Sequence, residues 1–254
     1  MGRTRRLRIG LRALSVSLAA IAGVTAAGAD CRQALILALD VSGSVDDREY
    51  RLQLDGVATA LDDGRVRGAL LSMPETPVSL LVFEWSSGRF QRDIVPWTSL
   101  TGTAAIDRVI AVLAGTERIP APQSTGLGAA LEHAERRLAE APGCWTRTVD
   151  ISGDGKNNDW PAPRDVYGRG ALPGATVNAL VIGQDDARGD DDRQTNIPEL
   201  MAYFRAEVIH GPDAFVEAAL GYEDFAAAMT RKLLRELQGM AVGALEVPTI
   251  RTLQ

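Results

Sequence analysis

Ala34-Leu35-Ile36-Leu37-Ala38-Leu39-Asp40-Val41-Ser42-Gly43-Ser44 is an apolar run that ends in one acid and two hydroxyls. Six apolar residues closed by a turn signal suit a strand covered on both faces, since a solvated face would demand polar residues at alternate positions. Asp46 and Glu49 follow at capping-box spacing, so a helix is expected to start there. Tyr50, Leu54, Val57 and Leu61 give that helix one apolar stripe, and residues 78–83 return to strand character. Buried strand, amphipathic helix and buried strand in succession are the rhythm of a parallel sheet.

The same pattern continues along the chain. Phe90 to Val95 alternates as a strand, and Ile106, Val109, Ile110 and Leu113 mark a helix. Leu127, Leu131, Ala134 and Leu138 mark another helix, while 148–152 and 177–182 are buried strands. Glu207 to Ile209 is expected as a short strand, and Phe225, Met229, Leu233 and Leu237 define a last helix. The expected fold is α/β: a single doubly wound, mostly parallel sheet with helices on both faces, filling residues 30–240 before a patternless tail at 241–254. The long irregular stretches, 153–174 and 183–196, both follow expected strands, where α/β proteins place binding loops.

The first 29 residues separate from this pattern. Arg3, Arg5, Arg6, Arg8 and Arg12 precede an apolar run from Ala13 that closes on Ala27-Gly28-Ala29. That is the layout of a secretory signal peptide cleaved after Ala29, and the Ala-rich run is short for a membrane anchor. Arg8 stands where twin-arginine export wants an apolar residue, which favours the ordinary secretory route. The chain is then expected to be periplasmic or secreted, with no membrane span in its mature part.

Composition narrows the functions. With 46% hydrophobic and 24% charged residues the chain is an ordinary globular one. Its net charge is −6, and losing the five leader arginines with no acid takes it to −11, so nucleic acid is not an expected partner. Two His and two Cys cannot build a nitrogen- or sulfur-rich metal centre unless all four converge. A metal would sit on oxygen.

The oxygens are available. Asp40, Ser42 and Ser44 crowd one turn, the alternative being that Ser44 or Asp46 is there as a plain helix cap. Ser124-Thr125-Gly126 opens an amphipathic helix, and Asp154-Gly155 follows a buried strand. In an open parallel sheet, ligands bind at the carboxyl ends of strands where the winding reverses. If the first strand and the one ending near Asp154 are neighbours there, Asp40 and Asp154 flank one crevice.

In this order the residues resemble the von Willebrand factor type A (VWA) domain with its metal-ion-dependent adhesion site. Asp40, Ser42 and Ser44 match the D-x-S-x-S element, Thr125 the isolated threonine and Asp154 the distal aspartate. Ile151-Ser152-Gly153-Asp154-Gly155-Lys156-Asn157-Asn158 is similar to the hallmark of an exported bacterial VWA subfamily labelled a domain of unknown function, with isoleucine in place of valine. The resemblance implies that Ser42, Ser44 and Thr125 touch a metal while Asp40 and Asp154 hold its waters. One position then stays open for an Asp or Glu carboxylate of a partner protein. Hydroxyl and carboxylate oxygens suit a hard cation, Mg²⁺ or Mn²⁺.

Lys156, Asn157, Asn158 and Trp160 are expected to rim the site and meet the partner, the alternative for Trp160 being a ring tucked over the core. Cys31 lies nine residues before Asp40 and Cys144 ten before Asp154, so adjacent parallel strands would bring both thiols to one edge as a disulfide. Asp185 to Asp192 lacks the ligand spacing of an EF-hand and is expected to be a solvated charge run. Gly126-Leu127-Gly128 lacks the preceding strand and third glycine of a dinucleotide fingerprint. His133 and His210 have no nucleophile placed by a motif. The enzyme reading is a metal-dependent hydrolase or phosphoryl-transfer site with Asp40 as nucleophile. Ser42 occupies the place where such enzymes carry a second acid, so a binding module is favoured.

Overall fold

The computed structural model describes residues 31–183 and 197–243, with side chains to 237. The segment expected to be a signal peptide, the acidic 185–192 run and the end of the chain lie outside the described residues.

β1 (Cys31–Asp40) is buried along its whole length, as its unbroken apolar run requires. The Asp46 side chain accepts from Glu49 N and that of Glu49 from Asp46 N, at 2.8 and 2.7 Å, so the capping box starts α1 (Asp47–Asp62). The chain continues through α2 (Gly64–Leu70), β2 (Val78–Trp85), β3 (Gln91–Ser99), α3 (Thr103–Gly115) and α4 (Leu127–Ala139). β4 (Cys144–Gly153), α5 (Pro163–Gly168), β5 (Thr176–Ile182), α6 (Ile197–Glu207), β6 (Val216–Ala219) and α7 (Phe225–Gly243) complete it, with a 3₁₀ turn at Tyr222–Asp224.

The strands lie in the order β3-β2-β1-β4-β5-β6, and all neighbours are parallel except β2 and β3. Leu35, Leu37 and Leu39 face a core shared with α1, α3 and α7. Ala34, Ile36 and Ala38 face the opposite core, under α4, α5 and α6. The sheet is therefore wound on both sides, and its direction reverses between β1 and β4, the strands that end in Asp40 and near Asp154. Among the described residues no helix is long and apolar enough to cross a membrane.

Two expectations change. The edge strand β3 runs to Ser99 and carries Pro96, which has no N–H to donate and sits where the register with β2 shifts. Of the short strand expected at Glu207 to Ile209, Glu207 is the last residue of α6, and Val208 and Ile209 form the turn that leaves it. Leu200, Phe204 and Val208 are buried at helical spacing, and the N–H groups of Val208 and Ile209 both reach Phe204 O. The last strand is β6, nine residues beyond α6.

Cys31 pairs with Cys144 in the β1–β4 register, their Cα atoms 4.6 Å apart, and the two form a disulfide.

Candidate metal centre

Five oxygen-bearing side chains from three separate segments meet at the upper edge of the sheet. Asp40 ends β1, and its Oδ1 accepts Ser42 N at 2.8 Å, which folds the chain into a tight turn. That turn brings Ser42 Oγ and Ser44 Oγ within 3.3 Å of each other. Thr125, just before α4, places Oγ1 3.5 Å from Ser42 Oγ. Ser44 Oγ donates to Asp154 Oδ1 at 2.7 Å across the β1–β4 boundary. Ser44 is half-buried and the other four are buried, so the cluster opens to solvent on the Ser44 side.

Backbone contacts fix the turns. Gly43 N donates to Gln123 O at 3.0 Å, and a Cβ on Gly43 would lie 2.7 Å from that of Gln123. Gly126 N donates to Ser86 O at 2.6 Å. From below, Gln53 on α1 donates to Asp40 O and accepts from Ser152 Oγ, both at 2.8 Å. A polar residue on the buried side of α1 was the available signal for this support. Tyr222 donates its hydroxyl to Asp154 Oδ2 at 3.3 Å from the turn before α7, and no local sequence feature announces it.

The chemistry of the cluster fits a hard cation. Burial, then the neighbouring charge of Asp154, pushes the Asp40 carboxyl up to about 8 against the pull of Ser42 hydrogen bonds. Asp40 Oδ2 is buried and receives no hydrogen bond. A divalent ion among these oxygens would offset the repulsion between the two acids and satisfy an orphaned acceptor. Among the described residues no group of three or more His, Cys, Asp and Glu is placed to hold a metal, so hydroxyls have to supply part of any such site.

The expected rim is more divided than its composition implies. Trp160 is 72% exposed, so its ring is not tucked over the core. Lys156 is exposed and pairs with Glu199. Asn157 and Asn158 instead turn their side-chain oxygens inward, to Gly128 N at 3.4 Å and Thr125 N at 2.7 Å. His133 packs against the Phe83 ring and is held by Asp93 at 2.8 Å, and His210 stacks on Tyr167, so neither enters the cluster.

Gly128 makes close packing here possible. A Cβ at this position would stand 2.1 Å from Pro161 O, so Gly128→Ala must drive α4 away from the 156–161 segment. Overpacking of this kind costs about 1–3 kcal/mol. Urea unfolding is expected to show that loss, and an unchanged midpoint would contradict the packing described.

Proximal thread matrix protein 1 (PTMP1) from the mussel byssus is 18% identical with a TM-score of 0.56, over 83% of this chain and 49% of its own. One form of that mussel protein has a zinc-occupied MIDAS motif. The pilus adhesin SpaC from Lactobacillus rhamnosus GG is 14% identical with a TM-score of 0.57, over 83% of this chain and 31% of its own. A von Willebrand factor type A protein from Catenulispora acidiphila is 14% identical with a TM-score of 0.52, over 83% of this chain and 43% of its own. The chain thus spans about half the length of the mussel protein and about a third of SpaC. These likenesses show the VWA fold. No curated protein matches the chain. Residues 30–241 match the family described as Protein of unknown function (DUF1194), and the chain belongs to that family.

Proposed function

We propose that the protein is an exported, divalent-metal-dependent protein-binding module of adhesion type. The observation that carries this is the convergence of Asp40, Ser42, Ser44, Thr125 and Asp154 on one half-open cluster at the reversal point of the sheet. The hydroxyls of Ser42, Ser44 and Thr125 would ligate Mg²⁺ or Mn²⁺, and the carboxylates of Asp40 and Asp154 would hold its waters. The bound ion supplies a positive charge that a carboxylate can complete.

The partner would therefore be a protein that presents Asp or Glu. Trp160 supports this reading as an exposed aromatic beside the cluster, since rings of this kind anchor interfaces. Lys156 adds a cation, while Asn157 and Asn158 serve the inside of the loop. The zinc-occupied motif of the mussel protein and the adhesin SpaC favour a binding role on this fold. Asp40 is fully buried, which suits a carboxylate that steadies an ion more than one that attacks a substrate. The leader-like residues 1–29 with their Ala27-Gly28-Ala29 end support a location in the periplasm or outside the cell.

Thermal unfolding tests the metal half of the reading. A ligand that binds only the folded state at a hundred times its Kd stabilises by about 2.7 kcal/mol. Mg²⁺ is expected to raise Tm saturably in the wild type and not in Thr125→Ala. Equal melting of the wild type in Mg²⁺ and in EDTA would count against it.

A further inference from the structure

The turn after Asp154 spends its polar groups on a neighbouring loop. Thr125 N donates to Asn158 Oδ1 at 2.7 Å, and Asn158 N donates back to Thr125 O at 3.0 Å. Both backbone polar groups of Thr125 thus end on one residue. On either side of this pair, Ser124 Oγ donates to Asp159 Oδ2 at 3.0 Å and Gly128 N donates to Asn157 Oδ1 at 3.4 Å. Asp159 Oδ2 also accepts Gly88 N at 2.9 Å, which ties the turn to the segment after β2. Hydrogen bonds from Gly88 N, Trp160 N and Ser124 Oγ hold the Asp159 carboxyl below the usual carboxylate range.

This pinning answers a local need. The N-cap of α4 is Gly126, which offers no side-chain cap, so the N–H groups around the start of the helix need partners from elsewhere in the chain. Thr125 is itself 6% exposed, and its N–H would be buried without a partner if Asn158 lost its oxygen. The position of Thr125 Oγ1 beside Ser42 follows from where that backbone is held.

We infer that Asn158 is a positioning residue for Thr125, and that the turn carrying Asp154 thereby sets both distal members of the cluster as one body. Asp40, Ser42 and Ser44 form one half, built on β1, and Asp154 with the clamped Thr125 forms the other. The consequence for metal affinity rests on the reading of the cluster as a divalent-ion site.

Two measurements on Asn158→Ala and Asn158→Asp test this. Amide hydrogen exchange at Thr125, followed by NMR without metal, is expected to be slow in the wild type, much faster in Asn158→Ala and slow again in Asn158→Asp, which keeps the acceptor oxygen. Mn²⁺ titration is expected to show about tenfold weaker binding in Asn158→Ala, equivalent to about 1.4 kcal/mol, and recovery in Asn158→Asp. Thr125 exchange and Mn²⁺ affinity unchanged in Asn158→Ala would overturn the inference. A wild type that binds no Mn²⁺ while Thr125 exchange still depends on Asn158 would remove the metal reading and leave the clamp standing.

Discussion

Lys232→Met is expected to destabilise the protein by about 3–5 kcal/mol, the usual cost of removing one partner from a buried ion pair. Lys232 on α7 has no solvent exposure, and its ammonium pairs with Asp150 on β4 and with Glu236 one turn on. Burial draws that ammonium down, but the charges of Asp150 and Glu236 outweigh it and raise it overall. Burial and then the charge of Asp150 push the Glu236 carboxyl well above the carboxylate range. Asn178 on β5 donates to Glu236 Oε1 at 2.6 Å and closes the group.

Removing the ammonium leaves Asp150 inside the protein with its cation gone. Out of a total stability of about 5–15 kcal/mol for a native domain, such a loss is large. Urea unfolding with an unchanged slope is the measurement. Changing Asp150 to Leu in the same chain is expected to recover much of the deficit, because an apolar pair removes the unpaired charge. A single variant within about 1 kcal/mol of the wild type would mean that water reaches Asp150, contrary to the packing described.

The second large effect is at the other end of the sheet. Cys31 and Cys144 are 113 residues apart in sequence, so their disulfide closes a long loop in the unfolded chain. Chain-entropy reasoning assigns such a loop about 4–5 kcal/mol, and removing native disulfides costs about 2–5 kcal/mol in practice. The double variant Cys31→Ser, Cys144→Ser should therefore unfold at clearly lower urea than the oxidised protein, and reduced wild type should match it. Both cysteines lie at the start of central strands that stay paired along their length, so the variant is expected to keep its fold. Equal midpoints for the oxidised protein and the double variant would show that the link contributes nothing to stability.

The central fold was legible because its residues obey simple periods. β1 is apolar at every position from Ala34 to Leu39, and a strand covered on both faces demands that. α1 announces itself twice, by the Asp46–Glu49 box and by its stripe. The five oxygen-bearing side chains were legible too, since they stand at or just beyond the ends of β1 and β4 or just before α4, where the chain must turn. What bound them together was not. Tyr222 reaches Asp154 across 68 residues, a contact that only tertiary packing creates.

Charged core residues were hidden by the same periods. Asp150 sits inside a strand whose neighbours Val149 and Ile151 read as buried, and Lys232 resembles any outward residue of an amphipathic helix. Only their mutual pairing permits them inside. The asparagines carry a role that composition does not announce: besides standing beside the site, their side-chain oxygens accept from the backbone at Thr125 and Gly128. Glu207 to Ile209 failed as a strand because three residues fit either period, and the packing of Val208 with Leu200 and Phe204 makes this stretch the last helical residue and the turn after it.

The most direct test of the account is a titration of the purified chain with Mn²⁺ followed by electron paramagnetic resonance, with Asp40→Ala and Thr125→Ala beside the wild type. The account predicts one saturable site in the wild type and its loss in both variants, which remain folded. No binding by the wild type, or binding that survives in both variants, would contradict the claim that these oxygens hold a divalent ion.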